Sequence, residues 1–267
     1  MLNTPLGIGI DAGNASVKIA VCDLYGQIVY SDYQLHKSQV VHTFQFMLNK
    51  IPSEITAQIK YGSACGVFAN LISVSVENAT ESLIKGVQRI YPKAGCIAEI
   101  GSQTSQFIAG IKTGNIQFSS NKNCAAGTGS FFEDQMNRLG TKIEKYSEYV
   151  EKADRIPRLA GRCSVFAKTD IIHLQQDGEK IENILKGLAY SMVNNFRGTI
   201  IQTLPVDKPV FLAGGTSKNL GVVQAFKDVL KLDDEDLIVA EESTEIQAAG
   251  AASLAFEKRI KWNRGAP

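Results

Sequence analysis

The stretch that decides the fold is Asp11-Ala-Gly-Asn-Ala-Ser-Val-Lys18, a small polar turn between two apolar, strand-like runs. A related stretch, Glu99-Ile-Gly-Ser-Gln-Thr-Ser-Gln106, follows at an offset of 88 residues. At the same offset Gly26 aligns with Gly114, and in both copies two further strand-like runs follow the turn. The repeat therefore predicts a duplicated α/β fold with two similar lobes.

The size of the chain fits such a duplication. Its 267 residues are 44% hydrophobic and 21% charged, which is enough apolar material for two modest lobes. We expect an N-terminal lobe over residues 1–93 and a C-terminal lobe over residues 94–267. A last helix, at about residues 244–260, is expected to pack back on the first lobe.

The charge and hydropathy patterns exclude several classes of protein. The formal net charge of +1 is too even for a protein that coats nucleic acid. No apolar run reaches the roughly 18 residues of a membrane helix. The first residues lack the basic segment of a signal peptide and reach Asp11 at once. We therefore expect a cytoplasmic protein with neither a nucleic acid nor a membrane as partner.

The first turn carries groups that suit a nucleotide. A tight turn of glycine and small polar residues exposes backbone N–H groups that can cradle phosphate oxygens. Asp11 could hold a hydrated Mg²⁺, and Lys18 could neutralise phosphate charge. Taken alone, this turn would more simply be a β-hairpin turn with a solvated lysine.

A third glycine-bearing segment favours the nucleotide. It is Pro209-Val-Phe-Leu-Ala-Gly-Gly-Thr-Ser-Lys-Asn219, which is typical of a strand, a Gly-Gly loop and a helix N-terminus. Gly214 and Gly215 have no side chains to keep a ligand away. A plain βα turn would have the same pattern. However, three such strand ends in a duplicated fold favour a nucleotide in the cleft between the lobes.

The cysteines are odd in number, so they cannot all pair: Cys22, Cys65, Cys96, Cys124 and Cys163. Cys124 and Cys163 each stand near the predicted start of a helix, where N–H groups and the helix dipole favour a thiolate. From the residues alone, these two could be inert, form a redox disulfide, or bind zinc or an iron–sulfur cluster across an interface.

Three motifs resemble those of the sugar kinase/heat-shock chaperone/actin ATPase superfamily. The phosphate-1 motif is DAGNASVK at 11–18, the phosphate-2 motif is EIGSQTSQ at 99–106, and the adenosine motif is FLAGGTSKN at 211–219. More narrowly, NCAAGTGSFFE at 123–133 and GRCSVFA at 161–167 resemble the activators of 2-hydroxyacyl-CoA dehydratases and the ATPase subunits of benzoyl-CoA reductase. The resemblance implies a ribonuclease-H-like duplicated fold, with two lobes around a nucleotide cleft.

The resemblance also implies a function. It indicates ATP-dependent, low-potential electron transfer from one 4Fe-4S cluster that bridges a homodimer, with Cys124 and Cys163 of each subunit as ligands. ATP or ADP and Mg²⁺ would be the other cofactors. Ferredoxin or flavodoxin would supply the electron. The acceptor would be an iron–sulfur partner: a 2-hydroxyacyl-CoA dehydratase, a benzoyl-CoA reductase or a double-cubane cluster protein.

The resemblance assigns site residues to the three turns. Asp11, Glu99 and Gln103 are the catalytic candidates. The candidates for binding ATP and Mg²⁺ are Asp11, Gly13, Asn14, Ala15, Ser16, Lys18, Gly101, Ser102, Gln103, Thr104, Gly214, Gly215, Thr216 and Asn219.

The second turn departs from the pattern of these activators. Ser102 stands where glycine is usual, Thr104 replaces an aspartate, and Gln106 replaces a lysine. Two charges near the γ-phosphate are therefore missing, which predicts a slow ATPase. Two alternative functions are a small-molecule kinase, such as an N-acetylhexosamine kinase, and a nucleotide-dependent redox sensor with little turnover.

Overall fold

The described part of the chain covers residues 4–73, 75–121, 128–160 and 164–262 of a computed structural model. The strands are β1 Leu6–Ala12, β2 Ser16–Cys22, β3 Ile28–Leu35, β4 Ile59–Cys65, β5 Cys96–Ile100, β6 Ser105–Ala109, β7 Gln117–Ser120, β8 Val210–Ala213 and β9 Leu237–Ile238. The α-helices are α1 Val40–Lys50, α2 Ser53–Thr56, α3 Ala79–Ile90, α4 Gly129–Arg138, α5 Tyr146–Glu151, α6 Ser164–Gln176, α7 Ile181–Phe196, α8 Leu220–Leu230 and α9 Ile246–Glu257. No helix in these ranges is both long enough and apolar enough to cross a bilayer.

Two units make up the structure. The first contains residues 1–94 together with residues 244–267, and the second contains residues 95–243. The chain therefore leaves its first unit once, builds the second, and returns to the first through α9.

The described strands of the first unit form a sheet in the order β3-β2-β1-β4. Strand β1 pairs antiparallel with β2 and parallel with β4. Its side chains alternate between the two faces of the sheet. Ile8 and Ile10 pack with Phe44 and Met47 of α1 on one face. On the other face Gly9 leaves room for α9, because a Cβ at Gly9 would lie 1.9 Å from the carbonyl oxygen of Ala248.

Helix α9 is buried around its circumference, as its alanine-rich sequence IQAAGAASLAFE predicts. It packs on β1, β4 and α3. At Gly250 it lies against the backbone of α3, where an added Cβ would meet the carbonyl oxygen of Ser82 at 1.7 Å. From the β4 side, the Ser63 hydroxyl donates to the carbonyl of Ala251 at 2.9 Å. The first unit is therefore completed by the C-terminal part of the chain.

The second unit repeats the arrangement of the first, with the described strands in the order β7-β6-β5-β8-β9. In the first unit Asp11 lies opposite Lys18, and in the second Glu99 lies opposite Gln106. Both pairs are related by the offset of 88 found in the sequence. Strand β8 pairs parallel with β5, as β4 does with β1. The duplicated α/β fold predicted from the repeat is confirmed.

Aromatic side chains fill the core of the second unit. Phe196 of α7 contacts Phe107 of β6 and Phe226 of α8 edge to face, with ring centroids 6.5 and 5.5 Å apart. Phe132 of α4 packs on Tyr146 of α5 at 5.2 Å. These contacts hold α4, α7 and α8 against one sheet, and so fix the helices next to the second and third turns.

Candidate functional site

The first turn joins β1 to β2 and brings an acid and a base together. The Gly13 N–H donates to the carbonyl of Ser16 at 3.0 Å, which closes the turn. The Lys18 Nζ donates to Asp11 Oδ2 at 2.7 Å across the two strands. Asp11 is only 5% exposed. A carboxylate and an ammonium are therefore held together at the mouth of a turn whose other residues, Asn14 and Ala15, are half-buried.

The second turn has the same backbone geometry with a different charge. The Gly101 N–H donates to the carbonyl of Thr104 at 2.8 Å, which matches the closure of the first turn. Gln106 Nε2 donates to Glu99 Oε2 at 2.6 Å. An amide thus occupies the position that Lys18 occupies in the first turn. Glu99 therefore still accepts a hydrogen bond from the neighbouring strand, but from a neutral amide instead of a positively charged ammonium.

The remaining candidates of the second turn lie at its surface. Gln103 and Thr104 are exposed, and Ser102 is half-buried. The carbonyl of Ser102 accepts from the N–H of Ser130 at 2.9 Å, and that of Gly101 accepts from the N–H of Gly129 at 2.8 Å. The first N–H groups of α4 are therefore bonded to the second turn.

The third turn follows β8 and depends on a left-handed glycine. Gly214 has φ +89°, and a Cβ there would lie 2.4 Å from the carbonyl oxygen of Ile100. The first unit has an equivalent in Gly66 after β4, with φ +95° and a hypothetical Cβ 2.6 Å from the carbonyl oxygen of Ala12. In each unit the parallel neighbour strand therefore ends in a turn that only glycine fits. The repeat thus extends to a turn that sequence reasoning did not pair with Gly214.

Two predicted nucleotide contacts in the third turn have structural partners. Thr216 Oγ1 donates to the carbonyl of Ile100 at 2.9 Å. Asn219 is the N-cap of α8, where its Oδ1 accepts from the N–H of Val222 at 3.2 Å. Gly215 is exposed. Gly214 and Thr216 therefore lie against Ile100 at the end of β5, where the second turn begins with Gly101.

Three cysteines lie within the described ranges, and all three are buried. Burial, with a smaller contribution from Asp23, raises the pKa of Cys22 to about 12. Burial, and secondarily Asp207, raises the pKa of Cys96 to about 12. The pKa of Cys65 is raised too, chiefly by burial. All three thiols therefore favour the protonated form in the interior of the protein.

Cys124 and Cys163, the predicted cluster ligands, lie outside the described residues. Within the described residues, no group of three or more His, Cys, Asp or Glu side chains is arranged to hold a metal ion. Helix α6 begins at Ser164, directly after Cys163 in the sequence. Helix α4 begins at Gly129, a few residues after Cys124.

Two residues that the sequence did not single out also contact the turns. His36, the first residue after β3, contacts the first turn, and Asn121, the first residue after β7, contacts the second. Only their position in the sequence could have indicated them, since each residue directly follows the third strand of its repeat. Their residue types differ, so alignment of the two copies could not reveal them.

In two copies of one sheet arrangement, an acid near the end of the first strand stands next to a tight turn. This arrangement defines the actin/heat-shock chaperone/sugar kinase class of fold. Residues 8–255 match the family described as BadF/BadG/BcrA/BcrD ATPase, and the chain therefore belongs to that family. The family inferred from the motifs is confirmed, and so is the enzyme class, an ATPase.

Relatives and solved structures agree with this assignment. The activator of lactoyl-CoA dehydratase from Anaerotignum propionicum is 36% identical over 178 residues, which are 66% of this chain and 67% of that protein. The structure of Acidaminococcus fermentans (R)-2-hydroxyglutaryl-CoA dehydratase component A superposes with a TM-score of 0.87 at 22% identity, and covers 96% of this chain and 99% of its own. The Clostridium difficile 2-hydroxyisocaproyl-CoA dehydratase activator with bound ADPNP has a TM-score of 0.80 at 21% identity, with 98% and 100% covered. These two likenesses are likenesses of fold.

Proposed function

We propose that this chain is an ATP-dependent activator that delivers a low-potential electron to an iron–sulfur acyl-CoA dehydratase or reductase. The observation that carries the proposal is the family match over residues 8–255, together with the 36% identity to a dehydratase activator. A double-cubane cluster protein is an alternative acceptor of the electron, since it is also an iron–sulfur protein. Ferredoxin or flavodoxin would supply the electron.

The cysteines support a cluster shared by two chains. Cys22, Cys65 and Cys96 are buried, which leaves Cys124 and Cys163 as the ligand candidates. A 4Fe-4S cluster takes four thiolates, so a homodimer would supply two from each subunit. When bound, such a cluster supplies one-electron chemistry at low potential.

The turns support the ATP site. Asp11 would hold Mg²⁺ through water, and Lys18 would neutralise phosphate charge. The two side chains lie together in the first turn, with Lys18 Nζ 2.7 Å from Asp11 Oδ2. Glu99 would orient the attacking water, and Gln103, which is exposed in the second turn, is the other candidate for this role. The neutral Gln106 leaves the γ-phosphate with less positive charge around it, so hydrolysis should be slow.

The bonds between the second turn and α4 support a coupling route. The Gly129 and Ser130 N–H groups hold carbonyls of that turn, so a shift of the turn on nucleotide exchange would be passed to the start of α4. The residues just before α4 include Cys124. Nucleotide state would therefore alter the surroundings of a cluster ligand.

Anaerobic purification tests the proposed function. We expect a brown protein with a broad absorbance at about 400 nm, about four irons per dimer, and ATP-dependent reduction of an iron–sulfur partner. A colourless, iron-free protein that phosphorylates a hexosamine would instead support the kinase. Iron without partner reduction or ATP turnover would support the sensor.

The second turn yields a gain-of-function prediction. Gln106→Lys should raise ATP turnover about tenfold, which corresponds to about 1.4 kcal/mol of transition-state stabilisation. The physical reason is that the lysine would restore to the second turn the positive charge that Lys18 brings to the first, and so stabilise the charge of the transferring phosphate. Phosphate release under anaerobic conditions measures the effect.

The matched control for this prediction is Gln117→Lys, which adds the same charge at an exposed position of β7. Turnover of that variant should equal that of the wild type. A Gln106→Lys protein that folds normally and hydrolyses ATP no faster would show that the missing lysine does not limit the rate.

A further inference from the structure

His36 contacts the first turn from a buried position directly after β3. The residue is 5% exposed, and its ring packs edge-on against the Phe68 ring, with centroids 5.7 Å apart. The Ser38 N–H donates to His36 Nδ1 at 3.0 Å. Because Nδ1 accepts that bond, the neutral ring carries its proton on Nε2. Nε2 then donates to the carbonyl of Gly13 at 3.2 Å.

The backbone of His36 adds a second bond to the same turn. Its N–H donates to the carbonyl of Ala15 at 3.1 Å. The loop that follows is conformationally costly, since the non-glycine residues Lys37 and Ser38 have φ of 44° and 66°. Such a conformation persists only where its surroundings hold it, and the bond from Ser38 to the imidazole does so.

Asn121 has the corresponding position in the second unit. Its Nδ2 donates to the carbonyl of Gln103 at 3.0 Å, and its Oδ1 accepts from the N–H of Ser105 at 2.9 Å. Gln103 lies 88 residues after Ala15, whose carbonyl is held by His36. In both units, therefore, the residue after the third strand bonds the same carbonyl of the turn.

A hydrogen bond that fixes the orientation of a carbonyl also fixes the orientation of the N–H group in the same peptide. Within one planar trans peptide, the C=O and the N–H point in opposite directions. Fixing the carbonyl of Gly13 fixes the N–H of Asn14, and fixing that of Gln103 fixes the N–H of Thr104. These N–H groups belong to the turns expected to bind phosphate.

We propose that His36 and Asn121 are positioning residues for the nucleotide, each fixing a turn carbonyl so that the N–H of the same peptide faces phosphate. The proposal rests on the proposed function, because it requires ATP to bind at these turns. Neither side chain needs to touch the nucleotide; each acts through the turn.

Two variants of His36 separate its two side-chain bonds. His36→Gln keeps a donor at the level of Nε2, so it can still reach the carbonyl of Gly13. His36→Asn keeps an acceptor at the level of Nδ1 for the Ser38 N–H, but it is too short to reach Gly13. We expect the asparagine variant to bind ATP about tenfold more weakly, and the glutamine variant to stay within about threefold of wild type.

The measurement is equilibrium titration with a fluorescent ATP analogue, combined with KM and kcat for phosphate release and the Tm of each protein. A merely structural role in the loop would favour the asparagine variant, which keeps the bond to Ser38. Equal affinities of the two variants, or tighter binding by His36→Asn, would overturn the proposal.

A second pair of variants decides the matter if a His36 variant does not fold. Asn121→Asp keeps the acceptor for Ser105 but loses the donor to Gln103, and should raise KM for ATP severalfold. Asn115→Asp adds the same charge at an exposed position just before β7 and should not change KM. Equal KM values in these two variants would overturn the proposal. A wild-type protein that binds no ATP at all would overturn the proposed function first.

Discussion

Replacing either Cys124 or Cys163 by serine is expected to remove the iron from the protein. A serine oxygen is a harder and less acidic ligand than a thiolate, and a cluster that bridges two identical subunits loses two of its four ligands with each substitution. Iron content should fall from about four per dimer to near zero, together with the absorbance at about 400 nm. Iron analysis and absorption spectra of anaerobically purified protein measure this.

The control for the cysteine variants is Cys22→Ala, which removes a thiol buried between β2 and α9. That sulfur is enclosed by the side chains of α9, so the variant should retain the iron of the wild type. Full iron content in both serine variants would refute the assignment of the ligands. Loss of iron in only one of them would exclude the symmetric set of four thiolates.

The second large effect is expected from Asp11→Asn. The change removes the carboxylate proposed to hold hydrated Mg²⁺ and leaves Lys18 opposite a neutral amide. ATP turnover should fall by about 100-fold or more, the scale on which loss of one preorganised charge acts in an active site. Phosphate release at saturating Mg²⁺ measures the fall.

Asp32→Asn is the matched control for Asp11→Asn. Asp32 lies on β3 of the same unit and accepts from Lys50 at 2.6 Å, a contact about as short as that between Asp11 and Lys18. It is remote from the turn in sequence and lies opposite Ile19. Turnover should survive this change. Comparable losses in both variants would indicate damage to the sheet rather than to an Mg²⁺ site.

The sequence predicted the fold and part of the candidate site where both depend on the same repeated strand–turn–strand segment. The offset of 88 predicted the duplication. The structure shows that the same offset also relates the cross-strand pair Asp11 and Lys18 to the pair Glu99 and Gln106, because both copies keep the same strand register. That Gln106 replaces a lysine was inferred from the resemblance to the activators, whose second turn carries a lysine at this position.

Other features depend on contacts between residues far apart in sequence, which no local pattern reports. His36 meets Gly13 only because three strands fold side by side. The capping bond of Asn219 Oδ1 to α8 is a contact of this kind, and the nucleotide contact of Asn219 stays a prediction. Gly66 could not be paired with Gly214 by motif, since only its φ of +95° and its approach to Ala12 reveal the equivalence. The roles of Cys124 and Cys163 as cluster ligands stay predictions.

The return of the chain to its first unit through α9 has a consequence for biosynthesis. The second unit is one continuous segment, so it can fold on the ribosome as soon as residues 95–243 have emerged. The first unit is made earlier but is completed later, since β1 and α3 lack their packing partner until α9, Ile246–Glu257, has left the exit tunnel. The unit whose synthesis starts first is therefore the unit that completes its packing second.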